Sequence, residues 1–178
     1  MFTAIDSGPE QATRVRAARG GDRVAFGALY QQYGRLVHGI LLAYVPYHEA
    51  EDLMQDVFVK ALERLPELRA PEAFGGWLLA IARHIAADHQ RGKKPMAEPT
   101  QPLVAGNNAR PDGEAFAVLD TIQRLPECYR ETLILRLVEG MTGPEIAQRT
   151  GLTADSVRVN LCRGMKLLRA RLEGHESL

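Results

Sequence analysis

Apolar residues recur along this chain at intervals of three and four, the period of one face of an α-helix. Phe26, Leu29, Tyr30, Tyr33, Leu36, Val37, Ile40, Leu41 and Tyr44 make the longest run, and Val45-Pro46 ends it because proline cannot continue a helix. The period returns in Leu53, Val57 and Ala61, and again in Phe74, Leu78, Ile81 and Ile85. Pro66 and Pro71 divide these two helices and leave a short loop fixed between them. No segment carries the alternation of a strand. Residues 95–113 hold Pro95, Pro99, Pro102 and Pro111 with Gly106, Asn107, Asn108 and Gly113, and have no apolar period, as befits a linker. The pattern predicts an all-α protein of two small helical domains, residues 10–94 and 114–175, joined by a flexible linker.

The second block carries the sharpest local signal. Thr142 with Glu145 makes a capping box, Pro144 is tolerated in a first turn, and Gly151 supplies the left-handed residue that ends the helix. Thr153 then opens a second helix after a short turn, and the small Ala147 lets the two axes approach, which together meet the requirements of a helix-turn-helix. On the second helix Val157, Leu161, Met165, Leu168 and Leu172 share one band, with Arg158, Val159, Cys162, Arg163, Lys166 and Arg169 opposite. An apolar back and a basic front fit the DNA major groove, where arginine binds guanine bidentately and other cations hold phosphates. In a plain helical hairpin the same front would be only a charged surface.

Composition adds exclusions. Of 178 residues, 46% are hydrophobic and 25% charged, which is globular rather than disordered. No apolar run approaches the roughly 18 residues that span a bilayer, and no basic-then-apolar leader opens the chain, so no membrane insertion and a cytoplasmic location are expected. Cys128, Cys162 and the five histidines have neither metal-ligand spacing nor a nucleophile partner, and no glycine-rich phosphate loop follows a strand. No metal, cofactor or enzymatic activity is expected.

Charges balance at 22 of each sign but are unevenly spread. Between Glu49 and Glu72 seven acids face Lys60, Arg64 and Arg69, whereas Arg83, Arg91, Lys93 and Lys94 face Asp88 alone. The acids Asp52, Asp56 and Glu63, with Gln55 and Val59, share the side of their helix opposite the core band. This face suits either solvent or a basic protein surface, and it would repel DNA. On the next helix Trp77, His84 and Arg91 recur every seven residues as a flank stripe with Arg83 beside it. Such a row can stack on unpaired bases and hold their phosphates, although a tryptophan on an apolar helix is as readily a core residue.

These residues resemble, in family order, the sigma-70 family of bacterial RNA polymerase sigma factors, in particular the small two-domain extracytoplasmic function group. Gly21-Asp-Arg-Val-Ala-Phe26 through Tyr33, Ala50-Glu-Asp-Leu-Met-Gln-Asp-Val-Phe58 and Phe74-Gly-Gly-Trp-Leu-Leu-Ala-Ile-Ala-Arg83 are similar to region 2. Arg124-Leu-Pro-Glu-Cys-Tyr-Arg-Glu-Thr-Leu-Ile-Leu-Arg136 and Gly140 to Arg169 are similar to region 4. The chain departs from the family in having His84 where asparagine is usual, and Val159-Asn160-Leu161-Cys162 where Ser-Arg-Leu-His is common.

The resemblance implies a promoter-specificity subunit that binds core RNA polymerase and opens promoter DNA. Asp52, Gln55, Asp56 and Val59 would dock on the β′ clamp, and Leu119 to Leu137 would lean on the β flap. Leu68, Arg69, Trp77, Arg83, His84 and Arg91 would capture unstacked bases of the minus-ten element. Arg158, Val159, Asn160, Cys162, Arg163 and Lys166 would meet the minus-thirty-five duplex. The resemblance also implies an anti-sigma factor as a masking partner, and no C-terminal sensory extension is expected after Leu172. A decoy that only sequesters an anti-sigma factor predicts a degraded basic front, and here that front is intact. A stand-alone repressor would leave the acidic face and Trp77 without a role.

Overall fold

The computed structural model describes residues 9–92 and 113–175. Eight α-helices and no strand are present among the described residues, in agreement with the all-α expectation. They are α1 (Pro9–Arg19), α2 (Arg23–Leu42), α3 (Tyr47–Arg64), α4 (Phe74–Gly92), α5 (Gly113–Gln123), α6 (Glu127–Leu137), α7 (Gly143–Thr150) and α8 (Ala154–His175). Short 3₁₀ turns, Leu65–Glu67 and Pro71–Ala73, lie between α3 and α4 where the two prolines predicted a loop. The expected linker, residues 95–113, falls outside the described residues except for Gly113, which opens α5.

Helix α2 is the axis of the first domain. Asp22 caps it by accepting from the backbone N–H groups of Val24 and Ala25 at 2.8 and 3.1 Å. Helices α1, α3 and α4 all pack on it. The periodic residues Leu29, Tyr33, Leu36, Val37, Ile40 and Leu41 are buried as the spacing predicts. The helix ends at Leu42, two residues short of the predicted run, and Tyr44 sits in the turn before Pro46. Leu42, Ala43 and Val45 are also buried, so the last turns of α2 are covered on more than one side. The second cover is α6, from the other domain.

The second domain follows its punctuation closely. Thr142 and Glu145 form the capping box, and Gly151 ends α7 at φ 76°. Thr153 accepts from the Ser156 N–H at 3.1 Å at the start of α8. Val157 and Leu168 are buried, with Leu161, Met165 and Leu172 half-buried against the core. Sequence gave no warning of the contact at Gly164, where α8 crosses α6. A Cβ there would lie 3.0 Å from Leu133 Cδ1 and 3.2 Å from Tyr129 Cβ.

Gly164→Val should therefore destabilise the protein by about 1–3 kcal/mol through overpacking. Gly27→Ala, at an α2 position with nothing within 4 Å, should stabilise it by about 0.5–1 kcal/mol. Denaturant unfolding of the two variants beside the parent chain checks both signs.

Candidate nucleic-acid interface

The basic front of α8 is open to solvent. Arg158, Val159, Cys162, Arg163, Lys166 and Arg169 are exposed and Asn160 is half-buried, while Val157, Gly164 and Leu168 anchor the back. Arg158 has only an exposed pair with Asp155 at 3.3 Å. Exposed pairs of this kind contribute about 0–1 kcal/mol, so a phosphate or base edge can displace the carboxylate readily.

Helix α4 presents the predicted stripe with its members in different surroundings. His84 and Arg91 are exposed and both pair with Asp88, His84 at 3.1 Å. Trp77 is half-buried, its ring 5.8 Å from that of Phe74, so it serves the core and keeps one side at the surface. The loop before α4 exposes Arg69 but buries Leu68, whose carbonyl accepts from Arg19 of α1 at 3.2 Å. The Leu68 side chain is thus held in the core, and its backbone N–H and carbonyl are already paired with Leu65 and Arg19. Arg83 is turned to the other domain, donating from Nε and Nη2 to the two carboxylate oxygens of Glu131, each at 2.7 Å. That hydrogen-bonded pairing raises the Arg83 guanidinium further above its ordinary value.

The third face lies on α3. Asp52, Gln55, Asp56 and Val59 are all exposed, Val59 at 58%, while Leu53, Val57 and Ala61 are buried behind them. Leu62, half exposed, extends the apolar part of this surface, a position outside the sequence-predicted face. An open cleft floored by Met54 and walled by Tyr30, Arg35, His38 and Gln55 joins this face to Glu139 of the second domain.

Two family models match the chain. Sigma-70 region 2 covers residues 29–95 and Sigma-70 region 4 covers residues 115–168. The RNA polymerase sigma-H factor of Pseudomonas aeruginosa is 30% identical, over 89% of this chain and 92% of its own length. The extracytoplasmic function RNA polymerase sigma-E factor of Haemophilus influenzae is 28% identical, over 89% of this chain and 93% of its own. The chain belongs to the sigma-70 family, in its extracytoplasmic function group. Among solved structures, CnrH in complex with the cytosolic domain of CnrY is similar with a TM-score of 0.64 and 25% identity, covering 92% of this chain and 97% of that one.

As a sigma factor, the protein recognises promoter elements for transcription initiation. Regions 2 and 4 also touch each other through residues that periodicity could not single out. Glu139, almost fully buried, accepts from Arg35 Nε at 2.9 Å and lies 3.2 Å from His38 Nδ1. Its backbone carbonyl accepts from Arg35 Nη2 at 2.9 Å. Tyr44 donates to Glu131 at 2.7 Å, and burial followed by that carboxylate pushes its phenol far above the ordinary range. Gln123 of α5 donates from Nε2 to the carbonyls of Leu42 and Val45, both at 2.8 Å, satisfying acceptors that the end of α2 leaves free. The clue in the sequence was the apolar run Ile40 to Ala43, too wide for a single covered face.

The capping box sets the angle at which α7 enters the helix-turn-helix. Its hydrogen bonds from Thr142 hold the Glu145 carboxyl below its ordinary value. Thr142→Ala should lower unfolding stability by about 1 kcal/mol. Because the folded-state value is depressed, the contribution of Glu145 is present above pH 4.5 and is lost as the pH falls further. Thermal melts of the parent chain and Glu145→Gln should therefore differ at pH 7 and converge below that point.

Proposed function

We propose that the three exposed faces divide the work of promoter recognition by a subunit with no catalysis of its own. In this reading residues 10–94 are region 2, residues 95–113 the linker and residues 114–175 region 4. The single observation that carries it is the separation of charge: an exposed acidic and apolar face on α3, and exposed cations on α4 and α8, each backed by buried apolar residues. The α8 front would enter the minus-thirty-five major groove, with Arg158 and Arg163 as the principal readers and Lys166 on phosphate. Val159 and Cys162 suit a thymine methyl, and Asn160 stands at the edge of the front. Trp77, His84, Arg91 and Arg69, with the loop that carries Leu68, would receive unstacked minus-ten bases, and Arg83 would join them. Base stacking of this kind returns about 1–3 kcal/mol per base and offsets the loss of duplex stacking.

Asp52, Gln55, Asp56 and Val59 would seat on a basic surface of the polymerase clamp, and Leu119 to Leu137 on the flap. The site of action would be the cytoplasm, where the polymerase works. An anti-sigma protein is the proposed regulator, a reading supported by the similar CnrH having been solved with the cytosolic domain of CnrY.

Loss of a base-reading arginine has a different signature from loss of the clamp contact. Arg163→Ala should weaken binding to the upstream duplex by about 1–3 kcal/mol while leaving core polymerase affinity unchanged. Asp56→Lys should do the reverse. Duplex binding by fluorescence anisotropy and core binding by size exclusion check the pair, and equal losses in both assays would contradict the division of faces.

A further inference from the structure

Helix α1 packs against the loop that carries Leu68 and Arg69, and its own ending fixes how. Gly21, at φ 96°, and Asp22 donate their N–H groups to the carbonyls of Ala18 and Ala17 at 3.0 and 3.1 Å, the pattern of a Schellman stop. Asp22 is at once the cap of α2, so two adjacent residues set the corner between the helices. Arg19, the last residue of α1, reaches the loop from that corner, and its Nη1 donates to the Leu68 carbonyl at 3.2 Å. That carbonyl belongs to the peptide joining Leu68 to Arg69. Arg16, one turn back, pairs with Glu72 at 3.0 Å at the other end of the loop.

The charges at this loop do not cancel. Glu67 is held by Arg64 at 3.2 Å and Glu72 by Arg16, which leaves Arg19 and Arg69 exposed and without a carboxylate partner among the described residues. A carbonyl takes one N–H of a guanidinium and neutralises none of its charge, so Arg19 keeps its Nε and Nη2 edge for an anion. The same bond holds the side chain in one place, and an arginine fixed in advance loses less freedom when it binds.

We propose that Arg19 is a further DNA-binding residue, holding a phosphodiester of the melted strand beside Arg69, and that α1 thereby belongs to the single-strand surface. The inference rests on the reading of the loop at residues 68–71 as part of the minus-ten face. A base captured by that loop brings its own phosphate with it, and an arginine tied to the loop backbone meets that phosphate where the loop meets the base. The contact is to the backbone of the strand, so it supplies affinity without choosing a sequence.

Each phosphate held on a single strand steepens the fall of log K with log salt by about 0.7. Arg19→Gln in the full chain should flatten that slope by about 0.7 for a fluorescein-labelled oligo-dT 15-mer followed by anisotropy. Binding should be about fivefold weaker at about 0.1 M salt, with the loss fading toward about 1 M. Arg19→Lys keeps the charge and should keep the parent slope. Arg171 of α8 also donates to a backbone carbonyl, that of Arg124 at 2.7 Å, and Arg171→Gln removes the same charge with no change of slope expected. Equal flattening in Arg171→Gln would mean a general charge effect and overturn the inference. Weaker binding by Arg19→Gln at the parent slope would make Arg19 a support of the loop alone and overturn it too, as would unchanged binding. Arg69→Gln tests the underlying reading separately. A flattened slope there beside a silent Arg19→Gln sinks the inference alone, and silence at both sinks the loop as a DNA surface as well.

Discussion

The C-terminal half of α2 is withdrawn from water on nearly every side, and the rest of the molecule is arranged around that fact. Leu36, Val37, Ile40, Leu41 and Leu42 are fully buried, each burial contributing about 1.5–3 kcal/mol. Helices α1, α3 and α4 cover part of this surface and α6 covers the remainder. A helix that is apolar around its circumference must be enclosed. Here the enclosure takes elements from both domains, and their buried residues form one continuous cluster.

That enclosure decides what is left outside. On α3 the burial of Leu53, Val57 and Ala61 turns Asp52, Gln55, Asp56 and Val59 outward, and on α8 the burial of Val157 and Leu168 turns the arginines outward. Acidic and basic exposed surfaces are thus kept on separate helices by the same apolar periodicity that builds the core. On α4 the outcome is mixed. His84 and Arg91 face solvent, Trp77 lies half in the core against Phe74, and Arg83 is drawn into the junction by Glu131.

The two kinds of contact between the regions have different physics. Apolar burial around Leu135 and Ile40 is indifferent to direction and favours closure generally. The ion pairs of Glu131 and Glu139 are directional, and they can be exchanged for other charged partners such as phosphates. The intimate fit of Gly39 against Leu135 and Glu139 sets the register in which those acids meet their cations.

The sequence by itself determined α2, α3, α4, α7 and α8 and their order, the capping box, the left-handed turn at Gly151 and the exposed fronts of α3 and α8, because each follows from local period and local backbone chemistry, whereas α1, α5 and α6 carried no such periodic signal in it. It also carried the family resemblance through motifs that are contiguous in the chain. It could not assign Leu68 to the core, place Gly164 at a helix crossing, or join Arg83 to Glu131 and Glu139 to Arg35 and His38. Those pairs lie 48, 104 and 101 residues apart. Contacts at such separation depend on how whole helices pack, and a charged residue chooses among distant partners only after the apolar core has fixed where the helices lie.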